Sequence, residues 1–383
     1  MSETTQKFLA RPSSSYKILL GSTLALSILG AIMVFSASSI YSLENKGNSF
    51  SVIGRQLFFL VLSIPLGYLA SRQKLERWKN LARFGFLISA IVLIIVAIPG
   101  VGKSVNGNQN WISLGFVDIQ PSEIVKMLMI LWAAHMLATR EHAGRHQSNV
   151  LALITPGFAL IMGLIMLGRD LGSTAVFAAI LAGLLWVSGV STKLFGGVLA
   201  SAFTLIAIAI ATAPYRAQRF LVVLDPFAPE DYKNAGWQPA HSLLGLASGG
   251  VFGVGLGASR QKWGNLAEAH TDFIFSVIGE ELGLFGTIIV LLLFSALIFS
   301  IFRIALRAKD PMSKYACAGI GAWIAFQTIM NIGSATSMIP VVGVTLPLIS
   351  YGGSSLVATY LALGFVLGAA RRDPAAMADL GKK

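Results

Sequence analysis

The sequence predicts an all-α, polytopic membrane protein with ten transmembrane helices. Of its 383 residues, 55% are hydrophobic and only 12% are charged, which is too few polar residues to cover a soluble globule. Ten apolar runs approach the 20 or so helical residues that cross a hydrocarbon core of roughly 30 Å. Because backbone groups in lipid find no water to bond, each run should be helical.

Short loops separate the predicted spans except before the eighth, where residues 214–273 form one long loop. A loop of this length is typical of a functional or partner-binding element. Its apolar, glycine-rich part, Ala240–Gly257, suits the membrane interface or the mouth of the helix bundle. The spans are predicted at residues 18–41, 53–71, 84–101, 121–138, 150–168, 171–190, 194–213, 274–302, 315–335 and 352–370.

The distribution of positive charge predicts the orientation of the bundle. An even number of spans places both termini on one side, and that side holds 19 of the 29 Lys and Arg residues. Cytoplasmic loops carry this excess, so both termini should be cytoplasmic. Residues 1–17 and 372–383 are then cytoplasmic tails, and residues 18–371 are the membrane domain. The same bias explains the net charge of +12, so no nucleic-acid partner is expected.

Carboxylates stand where the long loop enters the eighth span. Glu268 and Asp272 precede that span, and Glu280 and Glu281 lie within its first turns. Desolvation makes charge costly at such a place, so a chemical reason for keeping it is expected. A carboxylate at a wet membrane mouth can act as a general base.

The fourth span begins with a second charged group. Pro121 suits the first turn of a helix, and Glu123 and Lys126 follow three residues apart on one face. The two side chains form either an intramembrane ion pair that fixes the span or a site where Lys126 binds an anionic ligand. Arg169-Asp170 has the simpler interpretation of a pair in the loop between two spans.

Two segments resemble nucleotide-binding loops only superficially. Residues 97–104 fit a loose phosphate-loop pattern and residues 253–257 imitate a dinucleotide fingerprint, but neither has the strand and helix that such motifs require. Gly343–Ser355 differs from both. It is dense in glycine and hydroxyl groups, as expected of irregular backbone that lines a cavity within a membrane protein.

Three motifs together resemble the SEDS family (shape, elongation, division and sporulation). They are Glu268-Ala-His-Thr-Asp272-Phe-Ile-Phe with Gly279-Glu-Glu-Leu-Gly283, Leu346-Pro-Leu-Ile-Ser-Tyr-Gly-Gly-Ser-Ser355, and Gln120-Pro-Ser-Glu-Ile-Val-Lys126. The resemblance covers nearly the whole chain. Ile278-Gly-Glu-Glu makes it closer to the division branch of the family than to the elongation branch.

The resemblance implies a peptidoglycan glycosyltransferase that polymerises lipid II at the outer face of the bacterial cytoplasmic membrane, at the division septum. Asp272 matches the essential aspartate of the family. The expected substrate-binding residues are Glu123, Lys126, Arg260, Lys262, His270, Ser350 and Ser354. Asn110 and Arg169 depart from the family pattern, which leaves the donor site around them open. Acids near a pyrophosphate could hold Mg²⁺ or Mn²⁺, although no ligand set is visible.

The expected partners are lipid II, a class B penicillin-binding protein and other division proteins. Small residues permit close approach of membrane helices, so Gly283, Gly286, Gly319 and Gly321 are predicted to receive the partner's single membrane helix. Three alternatives stay open on the sequence alone: a lipid II flippase, an elongation polymerase and a non-enzymatic scaffold.

Overall fold

The structure, a computed structural model, describes residues 11–98, 100–105, 108–113, 115, 117–143, 150–211 and 214–381. The outer parts of the two predicted tails, residues 1–10 and 382–383, therefore lie outside the described residues. The described part contains thirteen helices and three short strands. In order they are α1 (Ser14–Lys46), α2 (Ser51–Arg72), α3 (Leu75–Ala97), β1 (Gly102–Val105), β2 (Asn108–Ser113), β3 (Asp118–Ile119), α4 (Pro121–His142), α5 (Val150–Leu167), α6 (Leu171–Val187), α7 (Thr192–Ala211), α8 (Pro214–Leu221), α9 (Trp237–Ser248), α10 (Ile274–Arg307), α11 (Pro311–Ala335), α12 (Gly353–Arg371) and α13 (Pro374–Asp379).

Each of the ten predicted spans coincides with a helix. Eight of the described helices are long and apolar enough to cross a membrane, and α6 and α7 are apolar over shorter lengths. The predicted bounds of the third span, residues 84–101, are wrong because α3 already begins at Leu75 and ends at Ala97. Its first turns carry charged residues, so hydropathy alone underestimates the helix at that end.

The prediction of an all-α chain is wrong between α3 and α4. There, β1, β2 and β3 form a small antiparallel sheet in the order β1-β2-β3. Asn106-Gly107 separates β1 from β2 in the sequence, and this dipeptide is the strongest short-range signal for a hairpin. The sheet lies outside the apolar runs, where its edges can bond to water or protein.

Three helices form the centre of the bundle. The most apolar windows of α4, α11 and α12 are 72%, 67% and 78% buried, whereas those of α2 and α3 are 28% and 33% buried. α11 packs against α4, α6 and α10, while α12 packs against α2. Side chains on α4 and α11 therefore face protein rather than lipid, which lets these helices carry polar groups.

The apolar part of the long loop folds back onto a membrane helix, as predicted. Residues 249–257, the re-entrant segment, follow α9 and pair with α10 where that helix is broken at Gly283, whose φ is 67°. The Val254 amide donates to the Glu280 carbonyl at 3.0 Å, and the Leu284 amide donates to the Gly250 carbonyl at 2.9 Å. These bonds satisfy backbone groups that the break removes from the helical ladder.

The predicted partner-helix interface is wrong for its four glycines, because they are all buried inside this chain. A Cβ at Gly283 would lie 2.4 Å from the Gly253 nitrogen, so the re-entrant segment already occupies its surface. Gly286 faces Leu282 of its own helix. Gly319 faces α4 and α6, and Gly321 faces α10.

Both described ends of the chain meet on one side of the bundle. The Ser13 amide donates to the Asp379 carboxylate at 3.2 Å, and Arg307 at the end of α10 donates to the Pro12 carbonyl at 3.2 Å. We call this side the terminal face. Asp272 precedes the first residue of α10 and so lies at the opposite end of that helix.

Candidate active site

Asp272 is held in a tight turn at the start of α10. The Glu268 carbonyl accepts hydrogen bonds from the amides of Thr271 at 3.1 Å and Phe273 at 3.2 Å. Glu268 adopts a positive φ of 57° in this turn, and its exposed carboxylate accepts from the Thr271 hydroxyl at 2.7 Å. The Asp272 side chain is half-buried. The turn therefore fixes the backbone of Asp272 at the start of α10.

The loop between α11 and α12, residues 336–352, forms the wall beside Asp272. Ser350 donates its hydroxyl to the Thr271 carbonyl at 2.6 Å, and the Tyr351 amide donates to the His270 carbonyl at 2.9 Å. A Cβ at Gly343 would lie 3.7 Å from Asp272 Oδ2, so the backbone passes close to the carboxylate. The predicted irregular segment therefore does line the neighbourhood of Asp272.

The side-chain amide of Asn331 holds both of these loops to α11. Asn331 on α11 is buried, and its Nδ2 donates to the Asp272 carbonyl and to the Val344 carbonyl, both at 2.8 Å. Its Oδ1 is buried without a hydrogen-bond partner. A buried amide that satisfies two loop carbonyls fixes both loops relative to α11.

The surroundings of Asp272 adapt it to accept a proton near neutral pH. Burial, followed by the negative charges of Glu268 and Asp170, raises the pKa of Asp272 from 3.8 to about 7. Desolvation and like charges both disfavour the carboxylate form. Perturbed carboxyl groups in clefts are candidates for general acids and bases.

Asp170 is the second aspartate of the site. It caps α6 by accepting from the Ser173 amide at 2.8 Å and the Ser173 hydroxyl at 2.7 Å, and Gln120 donates to it at 3.3 Å. Burial raises the pKa of Asp170, although the bonds from Ser173 oppose that effect. The predicted pair with Arg169 is not among the ion pairs of the described residues.

The predicted ion pair of the fourth span is present in the structure. Lys126 Nζ donates to Glu123 Oε1 at 2.7 Å and to Gln327 Oε1 at 2.9 Å, and lies 4.8 Å from the Trp323 ring centroid. Gln327 in turn donates to the Thr345 carbonyl at 2.9 Å. Hydrogen bonds through Gln327 of α11 therefore connect the ion pair to the wall beside Asp272. Glu123 Oε2, however, is buried without a partner.

Two further predicted substrate residues belong to this framework. His270 is buried, with its ring 5.0 Å from that of Tyr41 and 5.6 Å from that of Tyr351. Burial lowers the pKa of His270. Ser354, at the start of α12, accepts from the Gln120 amide at 3.2 Å. Together with Ser350, these residues make structural contacts around Asp272.

Arg260 and Lys262 lie in a different hydrogen-bond network. Lys262 Nζ donates to the Gly257 carbonyl at 2.5 Å and lies 3.4 Å from Glu281 Oε1, while the Arg260 amide donates to Glu280 at 2.9 Å. Glu281 also accepts from the Ser36 hydroxyl at 2.6 Å. The Glu280-Glu281 pair thus anchors residues 257–262 to α1 and α10, and no described contact joins it to Asp272.

The described residues do not fit a metal ion held by the protein alone. They contain no group of three or more His, Cys, Asp or Glu side chains placed to hold one. Of the two acids that raise the pKa of Asp272, Asp170 is already bonded to Ser173 and Gln120, and Glu268 accepts from Thr271. No chemical step is therefore assigned to Mg²⁺ or Mn²⁺.

Three polar residues beside the site are not among those predicted from the sequence. Asn331 and Gln327 stand four residues apart in a span without charged side chains, a spacing that puts both on one helix face. That spacing was the available signal. Arg219 of α8 was missed for another reason. Its guanidinium lies 3.5 Å from the Val341 carbonyl, a contact between residues far apart in the chain.

Solved structures of known proteins share this fold. A chain from the structure described as "Structural coordination of polymerization and crosslinking by a peptidoglycan synthase complex" superposes with a TM-score of 0.75 at 28% identity, covering 92% of this chain and 97% of that one. The rod shape determining protein RodA of Thermus thermophilus superposes with a TM-score of 0.69, also at 28% identity, covering 93% of this chain and 96% of that one.

Sequence relatives point the same way. The "Probable peptidoglycan glycosyltransferase FtsW" of Coxiella burnetii is 40% identical over 90% of this chain and 93% of its own length. The protein of the same name from Mycobacterium tuberculosis is 36% identical over 97% of this chain and 71% of its own length. The family model described as "cell cycle protein", which spans FtsW, RodA and SpoVE, matches residues 17–374. These matches confirm the SEDS resemblance, and the chain belongs to the FtsW/RodA/SpoVE family of cell cycle proteins.

Proposed function

We propose that the chain is a peptidoglycan glycosyltransferase of cell division that polymerises lipid II into glycan strands. The names of its relatives support the reaction class. The observation that carries the proposal is Asp272: a half-buried residue at the mouth of the bundle, whose backbone is held by Asn331 and by the turn at Glu268. A carboxylate that titrates near neutral pH suits proton removal from a sugar hydroxyl.

In the proposed reaction, Asp272 accepts the proton of the acceptor sugar hydroxyl. The hydroxyl oxygen bonds to the anomeric carbon of the donor, and the bond from that carbon to the pyrophosphate oxygen breaks. Undecaprenyl pyrophosphate leaves with the bonding electron pair. With a pKa of about 7, the carboxylate is both populated and basic at neutral pH, as an efficient general base requires.

The leaving pyrophosphate needs positive charge nearby. Arg219 is exposed and contacts the wall beside Asp272, so we propose it as a cation that can reach the leaving group. Lys126 acts differently, because its ammonium is buried and bound to Glu123 and Gln327. Through Gln327, which also donates to the Thr345 carbonyl, it helps to hold the wall. The Lys262 ammonium also has partners within the chain, the Glu281 carboxylate and the Gly257 carbonyl. These contacts support a role for Lys262 in positioning the loop around it.

The proposed placement follows from charge and from the family. Ten spans with both termini in the cytoplasm put Asp272 on the outer face of the cytoplasmic membrane, where lipid II is consumed. The proposed site of action is the division septum, beside a class B penicillin-binding protein. Because the four predicted glycines are buried within the chain, the partner's membrane helix must pack elsewhere on the bundle.

Reconstitution tests the reaction class. Purified protein in liposomes should convert lipid II into glycan polymer, detected by gel electrophoresis of labelled product. A labelled lipid II that crosses the bilayer without being polymerised would instead support the flippase alternative. Absence of both activities, in the presence and absence of the co-purified transpeptidase, would support a scaffold.

A further inference from the structure

A cavity of about 120 Å³ lies on the terminal face, far from Asp272. This volume has room for several water molecules, so a small polar group can enter it. Its walls come from the ends of α10, α11 and α12, from α13, and from the first turn of α1 with the segment before it. Three cations lie in these walls: Arg307, Lys309 and Arg372.

These cations have neutral partners or none among the described residues. Arg307 donates to the Pro12 carbonyl at 3.2 Å, and Arg372 donates to the Ser313 hydroxyl at 3.3 Å. None of the three takes part in the ion pairs of the described part of the chain. A guanidinium has five N–H donors, so both arginines keep donors for a further acceptor.

The two acids of the cavity make their hydrogen bonds and ion pair with groups other than these three cations. Asp310 caps α11 by accepting from the Ser313 amide at 2.8 Å, and its other oxygen lies 3.8 Å from Lys79. Asp373 caps α13 by accepting from the Ala375 amide at 3.1 Å. Arg372 is half-buried, and burial lowers its pKa although the negative charge of Asp310 acts in the opposite direction.

We propose that this cavity binds the phosphate group of an anionic phospholipid. Phosphate oxygens match the fork of donors on arginine, and basic pockets between membrane helices on the cytoplasmic side bind lipid head groups. A lipid fits better than a soluble phosphate because the cavity also has an apolar wall, formed by Ile304 and Ala376. Leu306, the chain neighbour of Arg307, is 81% exposed, so an acyl chain has an apolar side chain to cover next to that arginine in the sequence.

Lipid retention by the full-length protein tests the proposal. The protein is purified in detergent with phosphatidylglycerol or phosphatidylcholine, and bound lipid is counted by native mass spectrometry. Wild type should retain phosphatidylglycerol in preference to phosphatidylcholine. Arg307→Gln and Arg372→Gln should each weaken retention by about 10- to 100-fold, as expected from losing a charge-assisted hydrogen bond. Arg307 is exposed, so its variant tests the site even if Arg372→Gln folds poorly.

Arg371→Gln is the matched control. Arg371 is the neighbour of Arg372 and carries the same charge, but its guanidinium points to Ser71, outside the cavity. Retention of phosphatidylglycerol by this variant should equal that of wild type. Equal retention of both lipids by wild type, or an equal loss in Arg371→Gln, would overturn the site. Inorganic phosphate that binds at Arg307 while phosphatidylglycerol does not would overturn the choice of a lipid.

Discussion

The raised pKa of Asp272 predicts how polymerisation depends on pH. If Asp272 is the general base, the rate follows its ionised fraction, which rises through pH 7 because the pKa is about 7. A single group with this pKa is about 9% ionised at pH 6 and about 91% ionised at pH 8, so the rate should rise roughly tenfold over this interval. An ordinary aspartate, ionised throughout, would give a flat profile.

The neighbouring charge offers a way to move this profile. Of the two negative charges that raise the pKa of Asp272, Glu268 has the larger effect. Glu268→Gln should therefore lower that pKa and shift the acidic limb of the profile to lower pH. Asp118→Asn is the control. Asp118 is an aspartate paired with Lys103 at 2.7 Å in the small sheet, and its loss should leave the limb in place.

The assay is the initial rate of lipid II polymerisation by reconstituted protein from about pH 5.5 to 8.5 at constant ionic strength. A flat pH profile of the wild type would refute the assignment of the acidic limb to Asp272. An equal shift of that limb in Asp118→Asn and in Glu268→Gln would refute it as well.

The same pKa makes a prediction about stability. A folded-state pKa raised above the unfolded value stabilises the protein below about pH 4, and this contribution disappears as the pH rises through about 7. At pH 8 the folded protein therefore carries the cost of a poorly solvated carboxylate, which Asp272→Asn removes. We expect this variant to unfold at a higher temperature than wild type at pH 8 and to be inactive. A lower melting temperature at pH 8 would contradict the proposed environment of the carboxylate.

Three further changes test the framework of the site. Lys126→Met should destabilise the protein by about 3–5 kcal/mol because it leaves Glu123 buried without its cation, whereas adding Glu123→Leu should recover most of that loss. Chemical denaturation measures the stability of both variants. Equal stability of the single and double variants would contradict the ion pair. Gly283→Ala should lower the melting temperature because its Cβ would lie 2.4 Å from the re-entrant segment at a positive φ, while Gly163→Ala, where a Cβ meets nothing within 4 Å, should not. Asn331→Leu should lower kcat more than it raises KM because it frees the loop that positions the base, a split that steady-state polymerisation kinetics can measure.

The sequence predicts the helices of this protein well because apolar length is a local property. All ten predicted spans coincide with helices, and Pro121 begins α4 as its missing amide suggests. The Glu123–Lys126 pair was also predictable, since three-residue spacing brings the side chains together on one helix. The small sheet was missed because hydropathy does not report strands outside the membrane.

Contacts between distant segments could not be predicted from one sequence. Glycine content suggested a partner interface at Gly283, but the re-entrant segment occupies that surface. Substrate binding by Lys262 stays a prediction, and its ion pair with Glu281 joins residues that are distant in the predicted elements. The role of Asn331 depends on two loops that meet only in the folded bundle. Each of these outcomes depends on pairings that local periodicity does not encode.

The central claim is that Asp272 removes the acceptor proton. The most direct measurement is the rate of glycosidic bond formation in a single turnover, with lipid II bound to saturation, for wild type and Asp272→Asn in the same membranes. The account predicts unchanged lipid II binding and a rate lowered by about 10²–10⁴-fold, the usual contribution of a general base. A rate within about threefold of wild type, at equal occupancy, would contradict the claim because such a loss is far below that contribution.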